Sequence, residues 1–171
     1  MDSGSVERVS MQKDIIELAQ RVGQALLARQ WMAATAESCT GGGVAYAITT
    51  ISGSSAWFDR GFVTYTNEAK QQMLGVSAET LQAHGAVSEA VVKEMTAGAL
   101  AHSQANIAVA ISGVAGPTGG SDEKPVGTVW IAWQIAEGKA STKGYKFSGD
   151  REQVRLQAIR EALLGLLSYS K

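Results

Sequence analysis

Apolar residues recur along the chain at spacings that switch repeatedly between those of helices and those of strands. Between Met11 and Arg29 they fall at every third or fourth position, with charged residues on the remaining faces, which predicts an amphipathic helix. The same spacing predicts five further helices, over 44–51, 68–74, 78–83, 89–102 and 151–167. Short apolar or alternating runs predict five strands, over 31–37, 60–66, 107–111, 128–136 and 141–147, the last at a sheet edge.

Short polar residues and glycines mark the ends of three of these helices. We interpret Asn67, Ser77 and Ser88 as N-caps, because their side chains can accept hydrogen bonds from the free amides of a first helical turn. Gly75 and Gly85 then end the helices that begin at Asn67 and Ser77.

The order of the predicted elements mixes crossover connections with a hairpin. It predicts an α/β fold, a three-layer α/β/α single domain with a mixed, mostly parallel sheet of about five or six strands. The 171 residues suit one domain, and the lone Cys39 excludes an internal disulfide. We expect residues 1–10 to form a disordered leader and residues 11–171 to form the domain.

The charge of the chain excludes some functions. The 15 Lys and Arg against 16 Asp and Glu argue against nucleic acid as a partner, because proteins that clamp phosphate backbones usually carry a basic surplus. Polar residues interrupt each apolar stretch well before the roughly 20 residues that a membrane span needs. The N-terminal residues lack the apolar segment of a secretory signal, so we expect a cytoplasmic location.

Glycine is enriched, and its placement is uneven. The 19 glycines make up about 11% of the chain where about 7% is average, while two prolines are too few for a low-complexity segment. Two stretches without Asp, Glu, Lys or Arg, Ser38–Phe58 and Met95–Ser121, contain 9 of these glycines. Such stretches are typical of buried strands that run into polar turns.

The turn Ser38-Cys39-Thr40-Gly41-Gly42 is the first candidate site. It follows a predicted strand and precedes a helix, and ligand chemistry in open α/β sheets collects at such strand ends. Ser38 at this turn can act as a nucleophile, with glycine-rich backbone amides near a developing oxyanion. The alternative is that Ser38 or Thr40 only caps the helix; we interpret Cys39 as a small packing residue.

Lys70 is the better candidate for a base, because neither His84 nor His102 has a partner at a spacing known from catalytic or metal sites. It lies near the start of a helix, where the positive end of the dipole lowers the pKa of an amine. A neutral lysine can take the proton of Ser38, and the hydroxyl of Tyr65 can relay it or hold the amine. An exposed helix lysine is the alternative.

The loop from Gly113 to Gly120 is the second candidate site. It has neither a Walker lysine nor a G-x-G-x-x-G pattern, but consecutive amides of small residues can cradle one phosphate, with Lys124 adding charge. A plain connection between strands is the alternative. The S-x-x-K patterns at Ser121 and Ser168 do not fit a serine hydrolase, because neither lies within a predicted helix.

Together, these segments resemble the CinA C-terminal domain family, from about Leu18 to Leu164. The resemblance rests on six ordered motifs, TAESCTGG at 35–42, GSS at 53–55, GFVTY at 61–65 with Asn67 and Lys70, HGAVSE at 84–89, SGVAGP at 112–117 and KPVGTV at 124–129. It implies the α/β/α fold with a mixed sheet. It also implies an amidohydrolase that converts nicotinamide mononucleotide to nicotinate mononucleotide and ammonia, in pyridine nucleotide recycling toward NAD synthesis.

The resemblance also implies roles for single residues. The catalytic serine, lysine and tyrosine of the family fall on Ser38, Lys70 and Tyr65, and no metal or other cofactor is implied. Amides near Thr40, Gly41 and Gly42 would hold the oxyanion. The nucleotide end of the substrate is assigned to Gly113, Gly116, Thr118, Gly119 and Lys124, with Ser88.

Two other functions stay open at this point. One is a catalytically silent module that binds a nucleotide, and the other is a hydrolase of a different small amide. Trp57 and Phe58, if exposed beside a glycine loop, would offer a contact surface for a homo-oligomer.

Overall fold

A five-stranded mixed sheet lies between two layers of helices in the computed structural model, which describes residues 2–171. The helices and strands in chain order are α1 (Ser3–Arg29), β1 (Ala33–Glu37), α2 (Gly43–Thr49), a 3-10 turn (Ser54–Ala56), β2 (Phe58–Val63), α3 (Asn67–Leu74), α4 (Ala78–His84), α5 (Glu89–Ala101), β3 (Ile107–Gly113), β4 (Thr128–Ile135), β5 (Ser141–Lys146) and α6 (Arg151–Tyr169). The predicted α/β class and the order of helices and strands are confirmed. No helix among residues 2–171 has an apolar stretch long enough to cross a bilayer.

The strand order is β2-β1-β3-β4-β5. The three strands β2, β1 and β3 run parallel, β4 pairs antiparallel with β3, and β5 pairs antiparallel with β4. The mixed sheet is therefore confirmed, with the predicted hairpin at one side and β5 at the edge. The carboxyl ends of β1, β2 and β3 meet at one rim of the sheet, where α/β proteins place their ligands.

Residue size alternates along β3 and separates the two cores. Ile107, Val109 and Ile111 pack with apolar residues of α1, α2 and α6, whereas Ala108 and Ala110 pack with α3, α4 and α5 on the opposite face. Successive side chains of a strand point to opposite faces of the sheet. A strand whose residues are all buried therefore predicts helices on both faces.

The first helix begins earlier than we expected. Asp2 caps it by accepting from the amide of Gly4, and residues 3–10 form its first turns instead of a disordered leader. Arg8 reaches across to α6 and pairs with Asp150 at 3.2 Å. This contact lies far along the chain, so local spacing did not reveal it. Met1 lies outside the described residues.

The cap of α3 differs from our prediction by one residue. Thr66, in extended conformation, accepts from the amide of Ala69 at 3.0 Å, and Asn67 is the first residue of the helix. Ser77 and Ser88 do cap α4 and α5, and Gly75 ends α3 in the left-handed conformation, as predicted.

Trp57 does not provide the exposed contact surface that we considered. Its ring is 2% exposed and packs against α1 at Gly23, where a Cβ atom would come within 2.7 Å of the indole. Phe58 is half-buried against the same core. Since α1 covers the Trp57 ring and the core partly covers Phe58, these two residues do not support the oligomer contact that we considered at this loop.

Candidate active site

A cleft of about 360 Å³ opens at the carboxyl ends of β1 and β3, between the start of α3 and the loop that follows β3. This volume lies within the range of small-molecule sites, about 300–1,000 Å³. Its wall is formed by Ser38, Cys39, Tyr65, Asn67, Lys70, Ala86, Val87, Ser112, Gly113, Val114, Ala115, Gly116, Thr118, Gly119 and Arg151. Both uncharged glycine-rich stretches of the sequence therefore contribute to one cleft.

Ser38 is the first residue after β1 and begins the turn to α2. Its amide donates to the carbonyl of Ile111 at 3.0 Å, so the pairing of β1 with β3 extends to the serine. The side chain is 7% exposed and lines the cleft. A hydroxyl at the end of a paired strand is held in a defined position, as a nucleophile requires.

Lys70 lies in the fourth position of α3 and is 1% exposed. Its Nζ donates to Ser38 Oγ at 3.2 Å and to the carbonyl of Thr64 at 2.9 Å. No described carboxylate lies within 4.0 Å of this amine. Burial lowers the pKa of Lys70, the direction that we predicted, and desolvation of the amine is the main cause.

Tyr65 lines the cleft, but its hydroxyl has a different partner from the one we predicted. The Tyr65 Oη accepts from a guanidinium nitrogen of Arg151 at 2.9 Å, and the side chain is 61% exposed. Arg151 also donates to the carbonyl of Gly116 at 2.8 Å. Its guanidinium therefore ties the tyrosine to the glycine loop.

The glycine loop forms one wall of the cleft. Gly113, Gly116, Thr118 and Gly119, which we predicted as binding residues, all line it. Gly116 and Gly119 have φ angles of +85° and +89°, a conformation that side chains rarely adopt. The two ends of the loop are joined at the sheet, where the amide of Val114 donates to the carbonyl of Thr128 at 2.8 Å.

Lys124 and Ser88 lie outside the cleft wall. Lys124 Nζ donates to the carbonyl of His84 at 2.5 Å, which links the loop after β3 to the end of α4. The Ser88 hydroxyl accepts from the amide of Val91 and donates to the carbonyl of Gly85, so it is occupied in capping α5. The structure therefore does not bring these two predicted binding residues to the site.

Thr40, Gly41 and Gly42 also lie outside the cleft wall. The hydroxyl of Thr40 donates to the carboxylate of Glu37 at 2.6 Å, and the amide of Gly41 donates to the carbonyl of Ser38 at 3.0 Å. Gly41 and Gly42 have φ angles of +60° and +96°, so their role is to close a tight turn.

The sequence profile of the CinA C-terminal domain family matches residues 15–170 of this chain. The chain belongs to this family. A protein of Escherichia coli (strain K12) named nicotinamide-nucleotide amidohydrolase PncC is 61% identical over 150 residues, which cover 88% of this chain and 91% of that protein. A protein of the same name from Pseudomonas putida is 52% identical over 153 residues, which cover 90% of this chain and 95% of that protein.

A solved structure of the same family has the same architecture. The competence/damage inducible protein CihA from Agrobacterium tumefaciens superposes with a TM-score of 0.90 at 48% identity, over 92% of this chain and 96% of that one. The expected family is thus confirmed, and so is the single α/β domain.

Sequence reasoning missed two charged residues of this CinA-family site. Arg151 begins α6, more than 80 positions after Lys70, and no local spacing links it to the cleft. Glu37 ends β1, and its carboxylate lies behind the turn that carries Ser38. A signal was present for Glu37, because it is a carboxylate at the end of an otherwise uncharged strand.

Cys39 lines the cleft beside Ser38, but its environment makes it a poor nucleophile. Burial, followed by the negative charge of Glu37, raises the pKa of the thiol to about 12. The thiol is therefore protonated at neutral pH, and only the thiolate is strongly nucleophilic. Of the two turn side chains that line the cleft, Ser38 is therefore the better candidate for a nucleophile.

Proposed function

We propose that this chain is a nicotinamide-nucleotide amidohydrolase, which converts nicotinamide mononucleotide to nicotinate mononucleotide and ammonia. The observation that carries the proposal is the buried amine of Lys70, 3.2 Å from the hydroxyl of Ser38 at a cleft of substrate size. The 61% identity to the E. coli protein of that name supports the choice of substrate.

The first step is an attack by Ser38 on the carboxamide carbon. Neutral Lys70 accepts the Ser38 proton as the Oγ–C bond forms, and the amide oxygen takes the negative charge of a tetrahedral intermediate. Desolvation favours the neutral amine, because a buried ammonium without a carboxylate partner is costly. The hydrogen bond to the Thr64 carbonyl holds the amine toward the serine.

The second step releases ammonia and regenerates the enzyme. Protonated Lys70 returns its proton to the leaving nitrogen as the C–N bond breaks, which leaves an acyl ester on Ser38. Lys70 then takes a proton from a water molecule as the water oxygen attacks the ester, and it returns this proton to Ser38 Oγ as the ester bond breaks and nicotinate mononucleotide leaves. The chemistry requires no cofactor, because the serine and lysine supply the nucleophile and the proton transfers.

The oxyanion requires amides close to Ser38. The Gly41 amide bonds within the turn, to the Ser38 carbonyl. We therefore assign the role to the amide of Cys39, directly after the nucleophile, in place of the amides of Thr40, Gly41 and Gly42 that we predicted. Cys39 lines the cleft, and amides next to a nucleophile are suited to this role.

The phosphate end of the substrate is assigned to the part of the cleft beside Arg151. Among the described residues that line the cleft, Arg151 is the cation besides Lys70; it bonds to Gly116, in the loop that also carries Thr118 and Gly119. Guanidinium groups bind phosphates with paired hydrogen bonds, and amides of small residues add donors. Arg151 thus takes the part that we predicted for Lys124.

The proposed reaction has a place in metabolism. Its product retains the ribose phosphate and can return to NAD synthesis without a new glycosylation step. Since both substrate and product are charged nucleotides, we assign the reaction to the cytoplasm.

Ammonia release from nicotinamide mononucleotide tests the proposal. We expect turnover by the purified chain, and losses of at least about 1,000-fold in kcat for Ser38→Ala and for Lys70→Ala. Lys139→Ala, on the exposed turn between β4 and β5, is the control and should leave kcat unchanged. Absence of turnover by the unmodified chain, with binding retained, would indicate a silent nucleotide-binding module.

A panel of related amides tests the assignment of the phosphate end. We expect the mononucleotide to be hydrolysed with a much higher kcat/KM than its riboside or free nicotinamide. Arg151→Gln should remove most of this preference and leave the rate on the riboside nearly unchanged. Equal rates on all three amides would contradict the assignment and favour a hydrolase of another small amide.

A further inference from the structure

Glu37 is a buried carboxylate that forms no ion pair among the described residues. It is 1% exposed, and its oxygens accept hydrogen bonds from one hydroxyl and two backbone amides. Oε1 accepts from Thr40 Oγ1 at 2.6 Å and from the amide of Val44 at 2.9 Å, and Oε2 accepts from the amide of Ala45 at 3.1 Å. A charge is retained in a protein interior only where such bonds compensate its desolvation.

These bonds anchor the turn that carries the nucleophile. The N-cap of α2 is Gly42, which has no side chain to offer to the free amides of the helix. The carboxylate of Glu37, which precedes the turn, is the acceptor instead, and the amides of Val44 and Ala45 donate to it. Since Val44 is fully buried in the core, the carboxylate joins the turn to an immobile part of the molecule.

The main chain of Glu37 reaches the other half of the site. Its carbonyl accepts from the amide of Thr64 at 2.8 Å, and the carbonyl of Thr64 accepts from Lys70 Nζ at 2.9 Å. One residue therefore contacts the turn of Ser38 through its side chain and the segment that holds Lys70 through its backbone.

We propose that Glu37 is a positioning residue that keeps Ser38 Oγ within reach of Lys70 Nζ. The inference rests on the proposed function, since it concerns the same serine and lysine. Without the carboxylate, the turn loses its hydrogen bond at Thr40 and the start of α2 loses those at Val44 and Ala45, so the serine is no longer held at a fixed distance from the amine. Displacements of about 1 Å in such a pair can cost about 100-fold in rate.

Two variants weaken the anchor to different degrees. Glu37→Gln keeps the shape of the side chain but sets an NH₂ group against the amides of α2. Thr40→Val removes one hydroxyl donor, and Thr40→Ser returns it. Thr96→Val is the matched control: Thr96 is also fully buried, and its hydroxyl bonds to the Lys93 carbonyl and to Gln134 in α5 and β4, away from the cleft.

Steady-state kinetics at a temperature where each variant is folded provide the first measurement. We expect kcat to fall about 10- to 100-fold in Glu37→Gln and less in Thr40→Val, with KM within about twofold and recovery in Thr40→Ser. Thr96→Val should lose stability and keep its kcat. A kcat per folded molecule that is unchanged in Glu37→Gln and Thr40→Val would overturn the proposal.

A second measurement separates this inference from the substrate assignment. A fluorophosphonate probe forms a P–O bond with Ser38 Oγ as fluoride leaves and the serine proton passes to Lys70, so its rate reports the pair without any amide substrate. We expect the labelling rate to fall in parallel with kcat. If the unmodified chain is labelled at Ser38 but releases no ammonia, the substrate is wrong, and the labelling rates of the variants still decide the role of Glu37. If Ser38 is not labelled at all, both proposals fail.

Discussion

At the scale of the residue, the charge state of Lys70 links the stability of the chain to the activity that we propose. Its amine is buried beside a hydroxyl and a carbonyl, and burial lowers its pKa below the ordinary value. Burial of the amine, which would suit a base, therefore destabilises the folded chain whenever the amine is protonated. Active sites commonly carry such a cost.

The stability of the chain should depend on pH through Lys70. Between its pKa in the folded chain and the value of about 10.4 in the unfolded chain, the unfolded chain holds more protons, so the free energy of unfolding rises with pH. Below this window the full penalty applies. We therefore expect the free energy of unfolding of the unmodified chain, measured in urea, to increase relative to that of Lys70→Met as the pH rises. The kcat/KM for amide hydrolysis should rise with pH through the same ionisation.

The matched control is Lys139→Met at an exposed turn, which should change the free energy of unfolding by less than about 0.5 kcal/mol. A difference between the unmodified chain and Lys70→Met that stays constant from pH 7 to pH 10 would show that Lys70 is not held neutral by burial.

The residues of the site differ in how well they could be predicted. Ser38 could be predicted because it lies at a glycine turn after a strand. Lys70 could be predicted because it lies near the start of a capped helix. Lys124 has equally suggestive neighbours in sequence, yet its amine bonds to the carbonyl of His84 outside the cleft wall. A long flexible side chain can reach several partners, and its choice depends on which backbone carbonyl tertiary packing brings near.

At the scale of the element, the contact of α3 with α5 determines where Lys70 lies. Gly98 in α5 faces the end of α3 so closely that a Cβ atom there would overlap the carbonyl of Leu74. Backbone cannot yield as the tip of a side chain can, so only glycine permits this approach. The position of α3, and with it the Lys70 amine, depends on this contact.

Gly98→Ala should therefore harm both stability and activity. We expect the free energy of unfolding to fall by about 1–3 kcal/mol, as in overpacked cores, and kcat to fall because α3 moves Lys70 away from Ser38. Denaturant unfolding and ammonia release measure the two effects. Gly4→Ala in α1 is the control: the nearest atoms there are side-chain atoms at 3.6 Å or more, so it should leave kcat unchanged and stability equal or up to about 1 kcal/mol higher. Full stability and kcat in Gly98→Ala would contradict the close approach.

Most element boundaries could be predicted because caps act within a few residues. Ser77, Ser88 and Gly75 have the conformations and bonds that their types favour. The prediction was one residue off at α3, where Thr66 and Asn67 are both good caps, and the extended backbone of Thr66 decided between them. The start of α1 could not be predicted, since Arg8 pairs with residues of α6.

At the scale of the whole molecule, two apolar cores on opposite faces of one sheet carry the stability. Leu26 and Leu27, adjacent in α1, differ sharply: Leu26 is fully buried in the core shared with α2 and α6, and Leu27 is 51% exposed. We expect Leu26→Ala to lower the free energy of unfolding by about 2–5 kcal/mol and Leu27→Ala by less than about 0.5 kcal/mol. Urea unfolding measures both, and similar losses would contradict the packing of α1 on this core.

The sequence by itself determined the element order, the burial of the sheet on both faces and the two residues proposed to carry the chemistry. These follow from signals that act locally, because periodicity, caps and turns involve residues a few positions apart. Only the tertiary structure decided that Arg151 joins Tyr65 at the cleft, that Lys124 and Ser88 lie outside it, and that Glu37 anchors the turn of Ser38. Those contacts depend on the strand order β2-β1-β3-β4-β5 and on helix packing, which bring distant segments together at one rim of the sheet.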